Sequence, residues 1–112
     1  MTRVIPIILV FAAAILVAAD PVLSRGMTAH VSEDWIVCGT RETAQRLSLY
    51  VRAGDQFGMD SIISHGLGVN VGEGTRVRIV GAAGGYLEVR IIDGINDGYP
   101  GWISMALLVP GK

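Results

Sequence analysis

The sequence predicts an α+β fold: an N-terminal export helix, a short helical hairpin, and then a small five-stranded β-barrel. Three observations carry this prediction. Residues 4–19 contain no charge, and apolar residues recur at helical spacing in residues 41–64. From residue 67 onward apolar and polar residues alternate, and glycines mark the turns between the runs. Short alternating strands separated by such turns are typical of a small closed barrel.

The N-terminal residues 1–19 predict a signal peptide or a membrane anchor. Arg3 precedes the uncharged run Val4–Ala19, and Asp20-Pro21 ends that run. The run is slightly longer than a typical signal core and slightly shorter than a membrane span. Cleavage after Ala19 is the favoured interpretation, and an uncleaved anchor through residues 4–19 is the alternative. Both interpretations export the rest of the chain, to the periplasm or the extracellular space, and the uncleaved alternative anchors it to the inner membrane.

Length and charge bound the remaining function classes. The 112 residues suit one domain, and nine basic against ten acidic residues give a net charge of −1. Because nucleic-acid binders carry a basic excess, this balance argues against nucleic acid. The one cysteine, Cys38, follows an apolar run. A buried thiol is therefore favoured, and pairing with a second chain stays open.

The middle of the chain divides into a tether and a hairpin. Residues 20–34 show no sustained hydrophobic periodicity and predict a polar tether, whereas residues 35–66 predict the helical hairpin. Thr40 is placed to cap a helix over residues 41–53, and Gly54 to end it. Asp55 is placed to cap a second helix over residues 56–64. Because neither helix can bury its apolar side alone, both are expected to pack on the following sheet.

The C-terminal part, residues 67–112, predicts the barrel. In residues 75–80, Val77 and Ile79 alternate with arginines, and residues 86–92 repeat the alternation. Shorter strands are expected on either side of this pair. The expected strands cover residues 67–71, 75–80, 86–92, 101–104 and 107–109.

Four short runs in this part resemble a bacterial SH3-like domain. They are a "G-x-V-x-V"-type strand, an aromatic-led "V-x-V" strand, a "G-W-I" strand and a final pair of leucines, at residues 71–79, 85–90, 101–103 and 107–108. The resemblance implies an SH3-like barrel that binds peptidoglycan or peptides in the cell envelope. It also implies a ligand groove near Tyr86, Tyr99 and Trp102.

Trp102 has two interpretations on the sequence alone. If Ile103 points into the barrel, Trp102 lies on the outer face and can stack on a ligand beside Tyr99 and Tyr86. In the favoured alternative Trp102 packs under the helical hairpin, because an added hairpin needs an aromatic surface to dock on.

Three arginines form a second candidate site. Arg76, Arg78 and Arg90 are expected on the outer face of two neighbouring strands, with Glu88 among them. Such a stripe can recognise carboxylates or phosphates through bidentate contacts. The favoured alternative is an ordinary solvated strand face.

The sequence predicts no catalytic residues, no metal site and no cofactor. Two isolated histidines and one cysteine lack the spacing of a zinc site or a catalytic pair. The loop at residues 93–98 superficially suggests calcium, but it has too few oxygen ligands, so a turn-forming loop is favoured.

The functional hypothesis is therefore a non-enzymatic binding module of the bacterial envelope, with cell-wall material or a peptide as its ligand. The alternative is a structural or inhibitory accessory protein that contacts an envelope protein through the hairpin.

Overall fold

The computed structural model of the chain describes residues 23–111. The predicted signal peptide or anchor at residues 1–19, like the first residues of the predicted tether, lies outside this part and stays a prediction. Within residues 23–111, no helix is long and apolar enough to cross a membrane.

The described part is an α+β fold with two helices and seven strands. A 3-10 turn, Met105–Leu107, links the last two strands. In chain order the elements are β1 (Thr28–Val31), β2 (Trp35–Cys38), α1 (Arg41–Ala53), α2 (Gln56–Ser64), β3 (Gly68–Val71), β4 (Arg76–Ala83), β5 (Tyr86–Ile91), β6 (Pro100–Ser104) and β7 (Leu108–Pro110).

Both helices begin and end where the sequence signals place them. The Thr40 hydroxyl accepts a hydrogen bond from the Thr43 N–H at 3.1 Å, and Gly54 ends α1 in the left-handed conformation (φ 68°). The Asp55 carboxylate accepts from the Gly58 N–H at 2.9 Å at the start of α2. These bonds satisfy backbone donors that a helix end otherwise leaves unpaired. The two helices predicted over residues 41–53 and 56–64 are present, but residues 35–38, which the prediction included in the hairpin segment, form strand β2 instead.

The predicted closed five-stranded barrel is wrong. The strands form one open antiparallel sheet in the order β3-β2-β6-β5-β4-β1-β7. Its two ends, β3 and β7, are edge strands that do not pair with each other. Two strands ahead of residue 67, β1 and β2, were not among the predicted ones. Together with β3, β2 extends the sheet beyond β6.

The strand β1 lies inside the segment that the sequence predicts to be a tether. Thr28–Val31 pairs with β4 on one side and with β7 on the other. Ala29 and Val31 have no exposed surface, whereas Thr28 and His30, which alternate with them, are half-buried. Residues 28–31 therefore belong to the sheet and contribute to its core.

Two apolar clusters hold the fold together. The larger cluster takes buried side chains from all seven strands, so the sheet curves around its own inner face. The smaller cluster joins the helices to the outer face through Cys38, Ala44, Leu47 and Ile62. Trp35 packs against both clusters. The hairpin consequently covers only one part of the outer face, and that partial cover positions the surfaces described below.

Candidate functional site

A cavity of about 520 Å³ opens where the hairpin meets the β2–β3 end of the sheet. Its volume falls within the usual range of ligand pockets, roughly 300–1,000 Å³. Most of the exposed lining is apolar. The lining residues are Asp34, Trp35, Ile36, Leu47, Val51, Met59, Asn70, Val71 and Gly72.

Four elements meet around this cavity. Leu47 and Val51 are four residues apart on α1, so they lie on the same side of that helix. Met59 comes from α2, and Trp35 begins β2 opposite Val71 of β3. Leu47 is buried, but Val51 is 37 % exposed and lies at the mouth.

An exposed carboxylate, Asp34, lies at the mouth of the cavity. Asp34 lines the cavity, and its Oδ1 atom accepts a hydrogen bond from the Glu73 N–H at 2.9 Å. Glu33 precedes Asp34 in the chain, and the side chains of Glu33 and Glu73 are both exposed. Within residues 23–111 the one ion pair joins Arg76 to Asp93, so these three carboxylates have no basic partner there. The site is therefore apolar inside and acidic at its entrance.

The edge strand β3 lies next to the cavity. The Gly39 N–H donates to the Leu67 carbonyl at 2.8 Å. Because backbone hydrogen bonds alternate along an antiparallel pair, every second residue of β3 from Gly68 onward directs its N–H and C=O groups away from β2. Gly68 and Asn70 are those residues. The Asn96 side-chain amide donates to the Asn70 carbonyl at 3.0 Å, so the loop after β5 covers part of the edge. Such cover is one way in which proteins protect an edge strand.

The structure does not bring the three predicted aromatic residues together as an open groove. Tyr86 and Trp102 pack against the helical cluster, and the Tyr86 hydroxyl donates to Ser48 Oγ at 2.9 Å. Tyr99 packs against the cluster inside the sheet instead. Trp102 thus occupies the alternative position considered above, beneath the hairpin.

The three predicted arginines do share the outer face of β4 and β5, and all are exposed. They differ in their partners. Arg76 Nε lies 3.4 Å from Asp93 Oδ2, whereas Arg78 lies directly opposite Arg90 across the two strands. The Arg90 Nη1 group donates a long hydrogen bond to the Gly98 carbonyl at 3.5 Å.

Cys38 and Tyr99 are the described residues whose acidity departs clearly from the ordinary value. Burial raises the pKa of the Cys38 thiol to about 11, against an opposing effect of the Arg46 guanidinium. Burial also raises the pKa of Tyr99, and the charge of a Cys38 thiolate raises it further. Near neutral pH both groups are protonated, so Cys38 lacks the thiolate character that nucleophilic cysteines need. Within residues 23–111, no group of three His, Cys, Asp or Glu side chains could hold a metal ion.

Sequence reasoning missed the cavity because its lining comes from four separate elements. The helical spacing of apolar residues predicts an apolar side on α1, and Leu47 and Val51 belong to it. The local signal that distinguishes Val51 and Asp34 from ordinary helix and turn residues is weak, since each becomes a lining residue only through the packing of α1 and α2 on β2 and β3.

Comparison of the chain with family models, with curated proteins and with solved structures gave no match. The fold and the site therefore carry the functional argument without a relative, and the resemblance to SH3-like domains stays a prediction.

Proposed function

We propose that this domain is a non-enzymatic binding module that takes an extended, basic peptide segment of a partner protein. The observation that carries the proposal is the apolar cavity with an acidic mouth between the hairpin and the β2–β3 end of the sheet. An apolar side chain of the peptide enters the cavity, where it replaces water against Trp35 and Leu47. Lysine or arginine residues on either side of it face Asp34 and Glu73.

Two properties favour an extended peptide over a compact small molecule. The mouth lies next to the edge strand β3, and strand edges recognise extended chains through backbone hydrogen bonds while a pocket selects a side chain. The Asn70 carbonyl on this edge already accepts a hydrogen bond from the Asn96 amide, so it is oriented to accept a peptide N–H in its place.

Cell-wall material is less well supported as the ligand, because the groove predicted for it depended on free Tyr86 and Trp102 side chains. Both of these pack against the hairpin. Co-sedimentation of the chain with purified sacculi addresses this directly. Sedimentation that survives a block of the cavity would make the wall, and not a peptide, the ligand.

The proposed place of action is the far side of a membrane, as the sequence of residues 1–19 predicts. Mass spectrometry of the protein recovered from expressing cells tests this. A start at Asp20 supports cleavage and release, whereas an intact N-terminus in the membrane fraction supports an anchor. Recovery of the intact chain from the cytoplasm would contradict export.

The peptide proposal is tested with one pair of variants on the same helix. Val51→Trp blocks the mouth, whereas Leu49→Trp adds an equal side chain at a site 58 % exposed that does not line the cavity. The probe is an acetylated and amidated pentapeptide of alternating lysine and leucine, and binding is followed by tryptophan fluorescence and calorimetry. We expect the dissociation constant to rise about tenfold or more in Val51→Trp, a loss of about 1.4 kcal/mol, and to stay unchanged in Leu49→Trp.

A charge variant completes this test. Asp34→Asn retains the side-chain oxygen that accepts from Glu73 but removes the charge, so it should weaken the lysine peptide most at low salt. Equal binding by the wild-type chain and by Val51→Trp would overturn the cavity as the site. Absence of peptide binding by the wild-type chain would overturn the proposed ligand class.

One exposed residue favours the alternative function, an accessory protein that contacts its partner through the hairpin. Phe57 lies in the first turn of α2 and is 84 % exposed, which is unusual for a large aromatic side chain. In that case a partner recovered by crosslinking in the envelope should be lost with Phe57→Ser and retained with Val51→Trp.

A further inference from the structure

The outer face of the sheet is covered at one end only. The helices pack mainly on β2, β3, β6 and the start of β5. The outward side chains of β4 and of the rest of β5 remain exposed, and among them are Arg78 and Arg90. This second surface is distinct from the peptide cavity, which lies at the β2–β3 end.

Arg78 and Arg90 form a directly opposed pair of like charges. They are register partners in the antiparallel pairing of β4 with β5. Directly opposite residues on one face of a sheet have Cβ atoms about 5 Å apart, and like charges at that distance are destabilising. The register therefore places the two arginines where like charges are unfavourable in the free protein, and a bound anion would remove that opposition.

The acidic residues nearby do not compensate this pair. The Asp93 carboxylate is engaged by Arg76, both through its side chain and through its backbone N–H at 3.1 Å. Glu88 is on the same face, but its carboxylate turns over the neighbouring glycine, with Oε1 3.0 Å from where a Cβ on Gly81 would lie. In residues 23–111 neither Arg78 nor Arg90 has a carboxylate within ion-pair distance.

We propose that Arg78 and Arg90 together bind a phosphate monoester group. A guanidinium group offers two parallel N–H donors to one anion, and two such groups match an anion with several oxygen atoms and a charge near −2. A carboxylate has one charge and two oxygens, so it satisfies one guanidinium and leaves the other uncompensated. Thr28 lies beside Arg78 on β1, in the same row of the sheet, and adds a neutral hydroxyl donor at that end.

Two sources can supply this chemistry: a soluble phosphate compound, or the headgroup of a phospholipid with a terminal phosphate. The probes are inorganic phosphate on the one hand, and vesicles of phosphatidylcholine with or without phosphatidic acid on the other. Saturation by inorganic phosphate, without co-sedimentation with the vesicles that contain phosphatidic acid, identifies a soluble ligand. Co-sedimentation only with vesicles that contain phosphatidic acid identifies the headgroup, and both results support the pair as a phosphate site.

The experiment is an NMR titration of the full chain with phosphate at constant ionic strength, maintained with chloride. We expect saturable shifts at the Arg78 and Arg90 side-chain N–H groups, with a dissociation constant on the order of millimolar, as suits a small exposed site. Arg78→Gln and Arg90→Gln should each raise that constant about tenfold. Arg90→Lys retains the charge but loses the two parallel donors, so it should also weaken binding measurably.

The matched control is Arg52→Gln, which removes one exposed positive charge from the last turn of α1. It should leave the phosphate dissociation constant unchanged. Equal weakening by Arg52→Gln, or full binding by Arg90→Lys, would show a diffuse response to net charge and overturn the site. A wild-type chain that binds neither phosphate nor the acidic vesicles would overturn it as well.

A second measurement is independent of ligand affinity. Without phosphate and at low salt, Arg90→Gln should melt at a higher temperature than the wild-type chain, because it removes the like-charge opposition. Saturating phosphate should raise the melting temperature of the wild-type chain clearly more than that of Arg90→Gln. A lower melting temperature of the variant without phosphate would contradict the strained pair. Since Val51→Trp leaves β4 and β5 untouched, failure of the peptide site and failure of the phosphate site are separately visible.

Discussion

Cys38 lies on β2 beneath α1, fully enclosed, in the cluster that joins the helices to the sheet. Its neighbours are apolar side chains, so the thiolate form is disfavoured in the folded protein. In the unfolded chain the same thiol is solvated and ionises near pH 9. This difference makes the free energy of unfolding depend on pH.

We expect the free energy of unfolding to fall as the pH rises from about 9 to about 11. In this window the unfolded chain releases the thiol proton while the folded protein, with its pKa raised to about 11, retains it. The contribution is fully present below pH 9 and amounts to on the order of 2 kcal/mol. Urea denaturation at several pH values measures it.

The control for this prediction is Cys38→Ala, which removes the thiol. Tyr99 also has a raised pKa and acts in the same direction, so some alkaline loss should remain in the variant. The difference between the two pH profiles isolates Cys38. Identical profiles would mean that the thiol reaches solvent in the folded protein.

Gly58 shows how a close contact overrides helix propensity. A Cβ at this position would lie 2.6–2.8 Å from atoms of the Tyr50 ring, including the one bonded to the rest of the side chain. Glycine thus allows Tyr50 of α1 to lie directly on α2. From the sequence, Gly58 is a cost of about 1 kcal/mol relative to alanine in a helix.

Gly58→Ala should therefore destabilise the protein by about 1–2 kcal/mol, although propensity alone predicts a gain of about 1 kcal/mol. Overpacking typically costs about 1–3 kcal/mol, which outweighs the propensity term. Chemical denaturation of a double-mutant cycle with Tyr50→Ala tests the cause. In the Tyr50→Ala background the same alanine should be neutral or stabilising, and an unchanged penalty there would exclude the ring contact.

At the scale of elements, the sequence predicts those whose signals are local. The caps at Thr40, Gly54 and Asp55 define both helices, and the alternation of residues 75–80 and 86–91 defines the central hairpin β4–β5. Strand β1 is not predicted from the sequence, because four residues are too few to establish a period and the polar residues around it resemble a linker. Its strand character comes from pairing with β4 and β7, which are about fifty and eighty residues away in the chain.

Closure of the barrel could not be predicted for a related reason. The pattern of residues 67–112 tells which residues face inward, but it does not tell which strand lies at the edge. That depends on Gly101, where a Cβ would lie 2.5 Å from the Cys38 carbonyl oxygen. The missing side chain lets β2 approach β6, so β2 and β3 continue the sheet. The alternation of the strands was enough to predict that Arg78 and Arg90 share one face of the sheet. The cavity could not be predicted in this way, because it depends on packing between elements.

Strand β1 gives a direct test of this correction. Val31→Ala removes two methyl groups from a side chain with no exposed surface and should cost about 2 kcal/mol. His30→Ala, one position earlier on the outer face, should change the free energy of unfolding by less than about 0.5 kcal/mol. Urea denaturation compares them. Equal and small effects would restore the interpretation of this segment as a tether.

At the scale of the whole molecule, the positions of the cavity and of the arginine pair follow from which faces of the sheet the helices cover. The curved sheet encloses its own core, so the helices are not needed to bury its inner face. They cover one end of the outer face instead, where the cavity forms at their margin. The exposed remainder carries the arginine pair. One small domain thereby presents two separate surfaces for the binding activities proposed above, one apolar with an acidic rim and the other basic.

The two clusters should nevertheless unfold as a single unit, because Trp35 packs against both and Cys38 is joined to β6 through its pairing with Trp102. Leu47→Ala, a truncation in the helical cluster, should cost about 2–5 kcal/mol. Amide hydrogen exchange measures where this loss falls. We expect the most protected amides of β4 and β5 to lose the same free energy as those of α1, since a cooperative unit shares one unfolding reaction.

The opposite result would be equally informative about the cavity. If only the amides of α1 and α2 lose protection in Leu47→Ala, the hairpin opens from the sheet while β4 and β5 stay folded. The cavity lining would then separate in the native protein, with Leu47, Val51 and Met59 on the hairpin and Trp35 and Val71 on the sheet. A peptide that bridges these two sides would bind more tightly to the closed state, and its addition should restore the protection of the hairpin amides. Protection that the peptide restores in the hairpin but Val51→Trp prevents would tie hairpin opening to ligand entry.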